Sequence, residues 1–85
     1  MRFRKTVVWD GRSQEQLLAI DRETALAILH AIDDYLTDGS GDVKRLRPPR
    51  HELRLRVGDY RVFFPGTGPR AIRILAVKHR SEAYR

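Results

Sequence analysis

The sequence predicts a single α+β domain, residues 1–85, in the order β-α-α-β-β-β, with a helical hairpin packed on one face of a small, mainly antiparallel sheet. Three observations carry that prediction. Apolar residues recur at helical spacing between Asp21 and Asp38, the period of alternation drops to two in the second half, and the segments there are separated by short turn signals. Eighty-five residues bury one modest core and leave no room for a second domain or a deep enclosed cavity. Any chemistry therefore belongs on a face or in a shallow groove.

Residues 2–9, "RFRKTVVW", are rich in β-branched and aromatic types and read as the first strand, with Phe3, Lys5, Val7 and Trp9 on one side. Asp10-Gly11 ends it, and Asp10 or Ser13 caps a short helix through Leu17, Leu18 and Ile20. Asp21 caps a second helix, with Glu23 near the positive end of its dipole. Ala25, Ile28, Leu29, Ile32 and Leu36 form the apolar stripe, and His30, inside the same helix, is expected to pack or hydrogen-bond. Asp38-Gly39-Ser40-Gly41 stops the helix. Pro48-Pro49 cannot donate to a ladder, so the next strand begins after Arg50. Strands are expected at about 51–57, 60–64 and 70–77, paired antiparallel in sequence order.

The charge is unevenly placed. Residues 1–43 hold five Lys/Arg against eight Asp/Glu, and residues 44–85 hold twelve against three. Clustered cations repel one another but gain from phosphate contacts and counterion release, so the second half points to a polyanionic partner. The chain has no cysteine, and His30, His51 and His79 share no metal-ligand spacing, so neither a disulfide framework nor a metal site is expected. Without a membrane-length apolar run or a leader-like N-terminus, the sequence reads as a soluble cytoplasmic protein with no membrane partner.

"LRLRVGDYRVFF" sharpens the charge argument. If Gly58-Asp59 is a two-residue turn with a positive φ at Gly58, the pairs are Val57 with Tyr60, Arg56 with Arg61, Leu55 with Val62, Arg54 with Phe63 and Leu53 with Phe64. Leu53, Leu55, Val57, Tyr60, Val62 and Phe64 then face the helices, and Arg54, Arg56, Arg61 and Phe63 face away. A five-residue link at 65–69 would set Phe64 opposite Arg70, Val62 opposite Ile72 and Arg61 opposite Arg73, completing a row of Arg56, Arg61 and Arg73. Ile72, Ile74 and Ala76 would extend the apolar face. Directly opposed like charges destabilise a sheet, and a phosphodiester laid across the row offsets that cost through guanidinium forks. Phe63 is either a base-stacking platform or a ring buried by the C-terminal tail. Beyond the last strand, Lys78, His79, Arg80, Ser81, Glu82 and Tyr84 crowd together, and His79 can exchange a proton near neutrality.

Three segments, "GDVKRL", "LRVGDYRVFF" and "VKHRSEAYR", make the chain resemble the RelE/ParE superfamily of bacterial toxins, in its RelE-like branch. The resemblance spans essentially the whole chain and agrees with the predicted element order. It implies the toxin of a type II toxin-antitoxin system: an mRNA interferase acting on mRNA in the ribosomal A site and held inactive by a cognate antitoxin. In such enzymes the 2′-OH attacks the adjacent phosphate to leave a 2′,3′-cyclic phosphate and a 5′-OH, without metal or cofactor.

Carried onto this sequence, the resemblance makes Arg61 the phosphate-stabilising arginine and Tyr84 the tyrosine that activates the 2′-OH or stacks on the nucleotide. His79 or Lys78 becomes the proton donor to the 5′-oxygen. Arg54, Arg56, Arg73, Arg80, Lys44 and Arg45 form the expected phosphate-binding set. Glu52 stands where the best-known members carry a second basic residue, which leaves the general base open. The alternatives are a ParE-type inhibitor of DNA gyrase, for which Tyr84 and His79 would be dispensable, and a non-catalytic nucleic-acid-binding relative. The ending "HRSEAYR" favours the RelE reading.

Overall fold

A computed structural model of the chain describes residues 6–65 and 71–83. Strand β1 (Thr6–Trp9) leads through Asp10 into α1 (Gly11–Leu18). Asp10 is the N-cap, its carboxylate accepting the Arg12 N–H at 3.0 Å. Helix α2 (Arg22–Asp38) is capped by Asp21, which accepts the Thr24 N–H at 3.1 Å, and stops where Gly39 turns left-handed at φ 77°. Five strands follow among the described residues: β2 (Asp42–Arg45), β3 (Glu52–Val57), β4 (Tyr60–Pro65), β5 (Ala71–Ile74) and β6 (Ala76–His79), the last two separated by Leu75.

The architecture is the expected α+β arrangement, with corrections in its strands. β2 is not among the expected strands: its four residues hold one apolar side chain, Val43, and only pairing with β3 defines it. The antiparallel order is β2-β3-β4-β6, while β5 pairs in parallel with β1. The hairpin register is as expected, Arg56 facing Arg61 and Val57 facing Tyr60. Gly58 has φ 56° and Asp59 a negative φ, the pattern of a type II′ turn. The expected pairing of β4 with residues 70–73 is overturned: Arg61 faces Lys78, Val62 faces Val77, and Arg73 pairs with Val8 of β1. Residues 66–70, with the expected link and Arg70, lie outside the described residues, as do residues 2–5 of the expected first strand.

The physical reason is that residues 71–74 pair with β1, so the chain reaches β4 only from Ala76, after a one-residue slip at Leu75. Ile72 and Ile74 are buried in the core, and the next core residue is Val77, three positions on. Alternation therefore restarts after the break, and Ala76 stands opposite Phe63 rather than continuing the apolar face. Helix α1 brackets this break. Ser13, fully buried, directs its hydroxyl at the carbonyls of Asp10 and Ile74 at 2.7 and 2.8 Å. One turn later Gln16 Oε1 accepts the Val77 N–H at 2.7 Å. With the Asp10 N–H also on the Ile74 carbonyl at 3.1 Å and the Leu75 N–H on the Phe63 carbonyl at 2.8 Å, the backbone groups at the ladder discontinuity are satisfied, and Ser13 and Gln16 tie the slip to the helix.

The core lies between the helices and the sheet: Ile28 and Ile32 of α2 meet Leu55, Val62, Phe64, Ile72, Ile74 and Val77, with Tyr35 tilted against Phe64 at 5.4 Å. Leu29 is 38% exposed and His30 is also exposed, so the apolar stripe of α2 is narrower than the sequence suggests and the packed role expected of His30 does not hold. Among the described residues no helix is long and apolar enough to cross a membrane.

Candidate nucleic-acid interface

The face turned away from the helices is built from three strands and an edge. The registers place Asp42, Arg56, Arg61 and Lys78 in one line across β2, β3, β4 and β6. The next line on the same face is Lys44, Arg54, Phe63 and Ala76. Directly opposed side chains stand roughly 5 Å apart at Cβ, so Arg56, Arg61 and Lys78 are three adjacent cations. Lys78 replaces Arg73 in the expected row because β5 pairs with β1, and the slip at Leu75 turns Lys78 to the open face. Arg73 is exposed and lies five positions back along the chain, on the order of 15 Å from Lys78 at strand rise.

Arg61 is held in a defined pose. Its Nη1 donates to the carbonyls of Gly58 and Tyr60 at 2.9 and 3.0 Å, leaving Nε and Nη2 without partners among the described residues. The Lys78 ammonium has none among them either. Arg54 is mostly buried and bonds Asp42 at 2.9 Å; the other Asp42 oxygen lies 4.0 Å from Arg56. Arg80, at the rim, donates its backbone N–H to the Asp59 carbonyl at 2.7 Å and holds its guanidinium 3.7 Å from the Asp59 carboxylate.

Two expected members of the site face the other way. Arg45 opposes Leu53 and Tyr60 opposes His79, so Arg45 and His79 stand on the helix side of the sheet. His79 packs edge-on against Tyr60 at 5.5 Å. Its Nδ1 accepts the Ser81 backbone N–H at 3.2 Å and lies 2.9 Å from the Ser81 hydroxyl, which places the proton of a neutral ring on Nε2. In that form the Nδ1 lone pair is engaged by Ser81 and Nε2–H is the ring's free donor among the described residues. Tyr84 lies outside the described residues.

Phe63 is 1% exposed, which excludes it as a stacking platform, and the Arg50 guanidinium sits 5.3 Å over its ring. Arg50 also pairs with Glu52 at 2.8 Å, so that carboxylate, the second on this face beside Asp42, is neutralised locally. Arg50 and Asp42 are the two residues sequence reasoning missed. Asp42 was legible from its place two positions before Lys44, had β2 been assigned. A groove of about 310 Å³ between the start of α2 and the hairpin turn, lined by Glu23, Ala27, Val57 and Tyr60 among others, lies on the helix side and away from the row. Among the described residues no group of three or more His, Cys, Asp or Glu is placed to hold a metal ion.

Fold and face together define a small toxin-type domain: a helical hairpin on a sheet whose open side is cationic. Residues 7–84 match the family described as the ParE toxin of type II toxin-antitoxin systems, and the chain belongs to that family, within the RelE/ParE superfamily. Solved structures of the same fold include the RelBE2 toxin-antitoxin complex of Mycobacterium tuberculosis, at TM-score 0.76 and 22% identity over 91% of this chain and 99% of that one. The RelE-RelB complex of Pyrococcus horikoshii gives 0.75 and 23%, over 95% and 100%. The YoeB dimer of Staphylococcus aureus gives 0.74 and 14%, over 89% and 97%. No curated protein matches the sequence. The protein is thus the toxin of a type II toxin-antitoxin system.

Proposed function

We propose that this toxin is an mRNA endoribonuclease whose open sheet face binds the phosphodiester backbone. The observation that carries the reading is the line Arg56, Arg61 and Lys78: three opposed cations, two of them with donors unpartnered among the described residues, on the face that the helices do not cover. The reaction is attack of a 2′-OH on the adjacent phosphorus, with the P–O5′ bond breaking to leave a 2′,3′-cyclic phosphate and a 5′-OH. Arg61, fixed by its turn carbonyls, presents Nε and Nη2 to the phosphate oxygens and offsets the charge that grows on them. Lys78, directly opposite, supplies the proton to the departing 5′-oxygen. That role falls to Lys78 rather than His79, because the two residues stand on opposite faces. Tyr84 enters through the family resemblance, as the group that activates the 2′-OH or stacks on the nucleotide. Lys44, Arg54, Arg56 and Arg80 bind flanking phosphates. The cognate antitoxin is the protein partner, as in the neighbouring RelE-RelB complexes, and mRNA in the ribosomal A site is the substrate.

The family match to ParE toxins favours one other reading, inhibition of DNA gyrase through protein contacts. One experiment separates the two. Wild type, Arg61→Ala, Lys78→Met and Tyr84→Phe are expressed under tight control, and mRNA 5′ ends are mapped with and without ribosomes. New 5′-OH ends in wild type that vanish in Arg61→Ala support the ribonuclease. Growth arrest with intact mRNA and relaxed plasmid DNA supports the gyrase reading instead.

A further inference from the structure

The cationic line ends in a carboxylate, and that carboxylate sits where a phosphate would. Asp42, on the edge strand β2, directly opposes Arg56 and reaches across to Arg54. One of its oxygens accepts from Arg54 Nη2 at 2.9 Å and the other lies 4.0 Å from Arg56 Nη1. Carboxylate and phosphate oxygens compete for the same guanidinium edges, so one carboxylate between two guanidinium groups occupies a phosphate position. Arg54 is also incompletely paired: its side chain is 11% exposed, and among the described residues its buried Nε has no hydrogen-bond partner. Asp42 itself is half exposed, and its contact with Arg56 is at the limit of an ion pair and is released at little cost in water, whereas its bond to the mostly buried Arg54 is given up only when a phosphate oxygen replaces it.

We propose that Asp42 is an intramolecular stand-in for a phosphate, which attenuates polyanion binding and directs a strand to Arg61 and Lys78 before Arg56 and Arg54. In the free protein the β2-β3 end of the line is occupied and the β4-β6 end is open. A phosphodiester meets Arg61 and Lys78 first, and extends to Arg56 and Arg54 only by displacing the Asp42 carboxylate into solvent. A polyanion that cannot reach the β4-β6 end gains little from the face. This inference rests on the phosphate-binding reading of the open face.

The test is fluorescence anisotropy with a labelled single-stranded 2′-deoxy decanucleotide, which has no 2′-OH to cleave, titrated across a range of salt concentrations. Asp42→Asn is expected to tighten binding roughly three- to tenfold at low salt and to steepen the salt dependence by about 0.7 in log–log slope, the value of one added phosphate contact. Asp42→Glu, which keeps the charge, should bind as wild type does. Asp34→Asn, on the exposed side of α2, controls for net charge and should stay within about twofold of wild type. Asp42→Asn binding no tighter than Asp34→Asn, in protein whose circular dichroism is unchanged, overturns the proposal and leaves Asp42 as a support for Arg54. If Arg61→Ala fails to weaken wild-type binding, the phosphate-binding reading itself falls and the inference with it.

Discussion

Arg61 of β4 and Lys78 of β6 face each other directly across an antiparallel ladder, on the side of the sheet that the helices do not cover. Neither is paired with a carboxylate among the described residues. Their repulsion is a standing cost to the fold, and Arg56 on the other side of Arg61 adds to it.

Removing that cost without removing a packed side chain should stabilise the protein while impairing it. Lys78→Gln is expected to raise stability by a few tenths to about 1 kcal/mol, the scale of one like-charge cross-strand pair. The gain appears as a rise of a few degrees in Tm, roughly 4 °C or more per kcal/mol for a domain this size. Oligonucleotide affinity and mRNA cleavage should both fall. Thermal unfolding beside anisotropy measures the two together, and a variant that is less stable yet fully active would dismiss the opposed-cation account.

The side on which Lys78 points is decided at a distance, by Gln16. Its side-chain oxygen accepts the Val77 N–H at 2.7 Å and, with Ser13 bonded to Ile74, fixes the slip at Leu75. Gln16→Leu leaves that N–H unpartnered beside a buried valine and should cost about 1–3 kcal/mol. Gln16→Glu keeps an acceptor and should cost less. Amide exchange at Val77 and Lys78 should quicken in the leucine variant before global unfolding. Unchanged protection there would mean that the ladder alone sets the register of β6.

That same slip marks the boundary of what the sequence reveals. The β3-β4 hairpin was legible because a two-residue Gly-Asp turn allows one register, and every opposed pair follows from it. The caps at Asp21 and Gly39 were legible because each depends on one local residue type. The partner of Arg61 was not. A break in alternation at Leu75 leaves no mark in a run of Ile, Leu, Ala and Val, where each residue suits either face. Pairing of β5 with β1 is likewise a long-range choice, made by packing and by Ser13 rather than by any residue of 71–74. Arg73, Arg45 and His79 were misplaced for this kind of reason: the residue types were informative, and their faces were set by tertiary pairing.

Asp21 gives the domain an acid-sensitive helix end. The Thr24 hydroxyl and the Thr24 backbone N–H hold its carboxyl below the usual carboxylate range. A carboxyl with a lowered folded pKa stabilises fully above its unfolded value, roughly 3.9, and loses that contribution as pH falls through the lower folded value. Asp21→Asn keeps a capping side chain without the charge. Wild type should therefore be the more stable at pH 7, with the gap closing below about pH 4. Urea midpoints of both proteins across that interval measure it, and a gap independent of pH would remove Asp21 as the source.

Phe63 and Arg50 supply the remaining discriminating test, because they separate two ways in which the open face can hold a nucleic acid. The ring is 1% exposed beneath the Arg50 guanidinium, so a base has no aromatic surface to stack on here. Phe63→Leu should then keep most of the affinity for the decanucleotide, at a modest cost in stability from imperfect packing. Arg50→Ala should do the opposite. It removes one cation and also exposes the Glu52 carboxylate that Arg50 neutralises at 2.8 Å, so the face loses a positive charge and gains an uncompensated negative one. Affinity should drop more than for an isolated exposed arginine such as Arg73, and Arg50→Ala combined with Glu52→Gln should recover part of the loss. If Phe63→Leu weakens binding as much as Arg50→Ala does, the ring is reached by the ligand after all, and the face would have to open to bind.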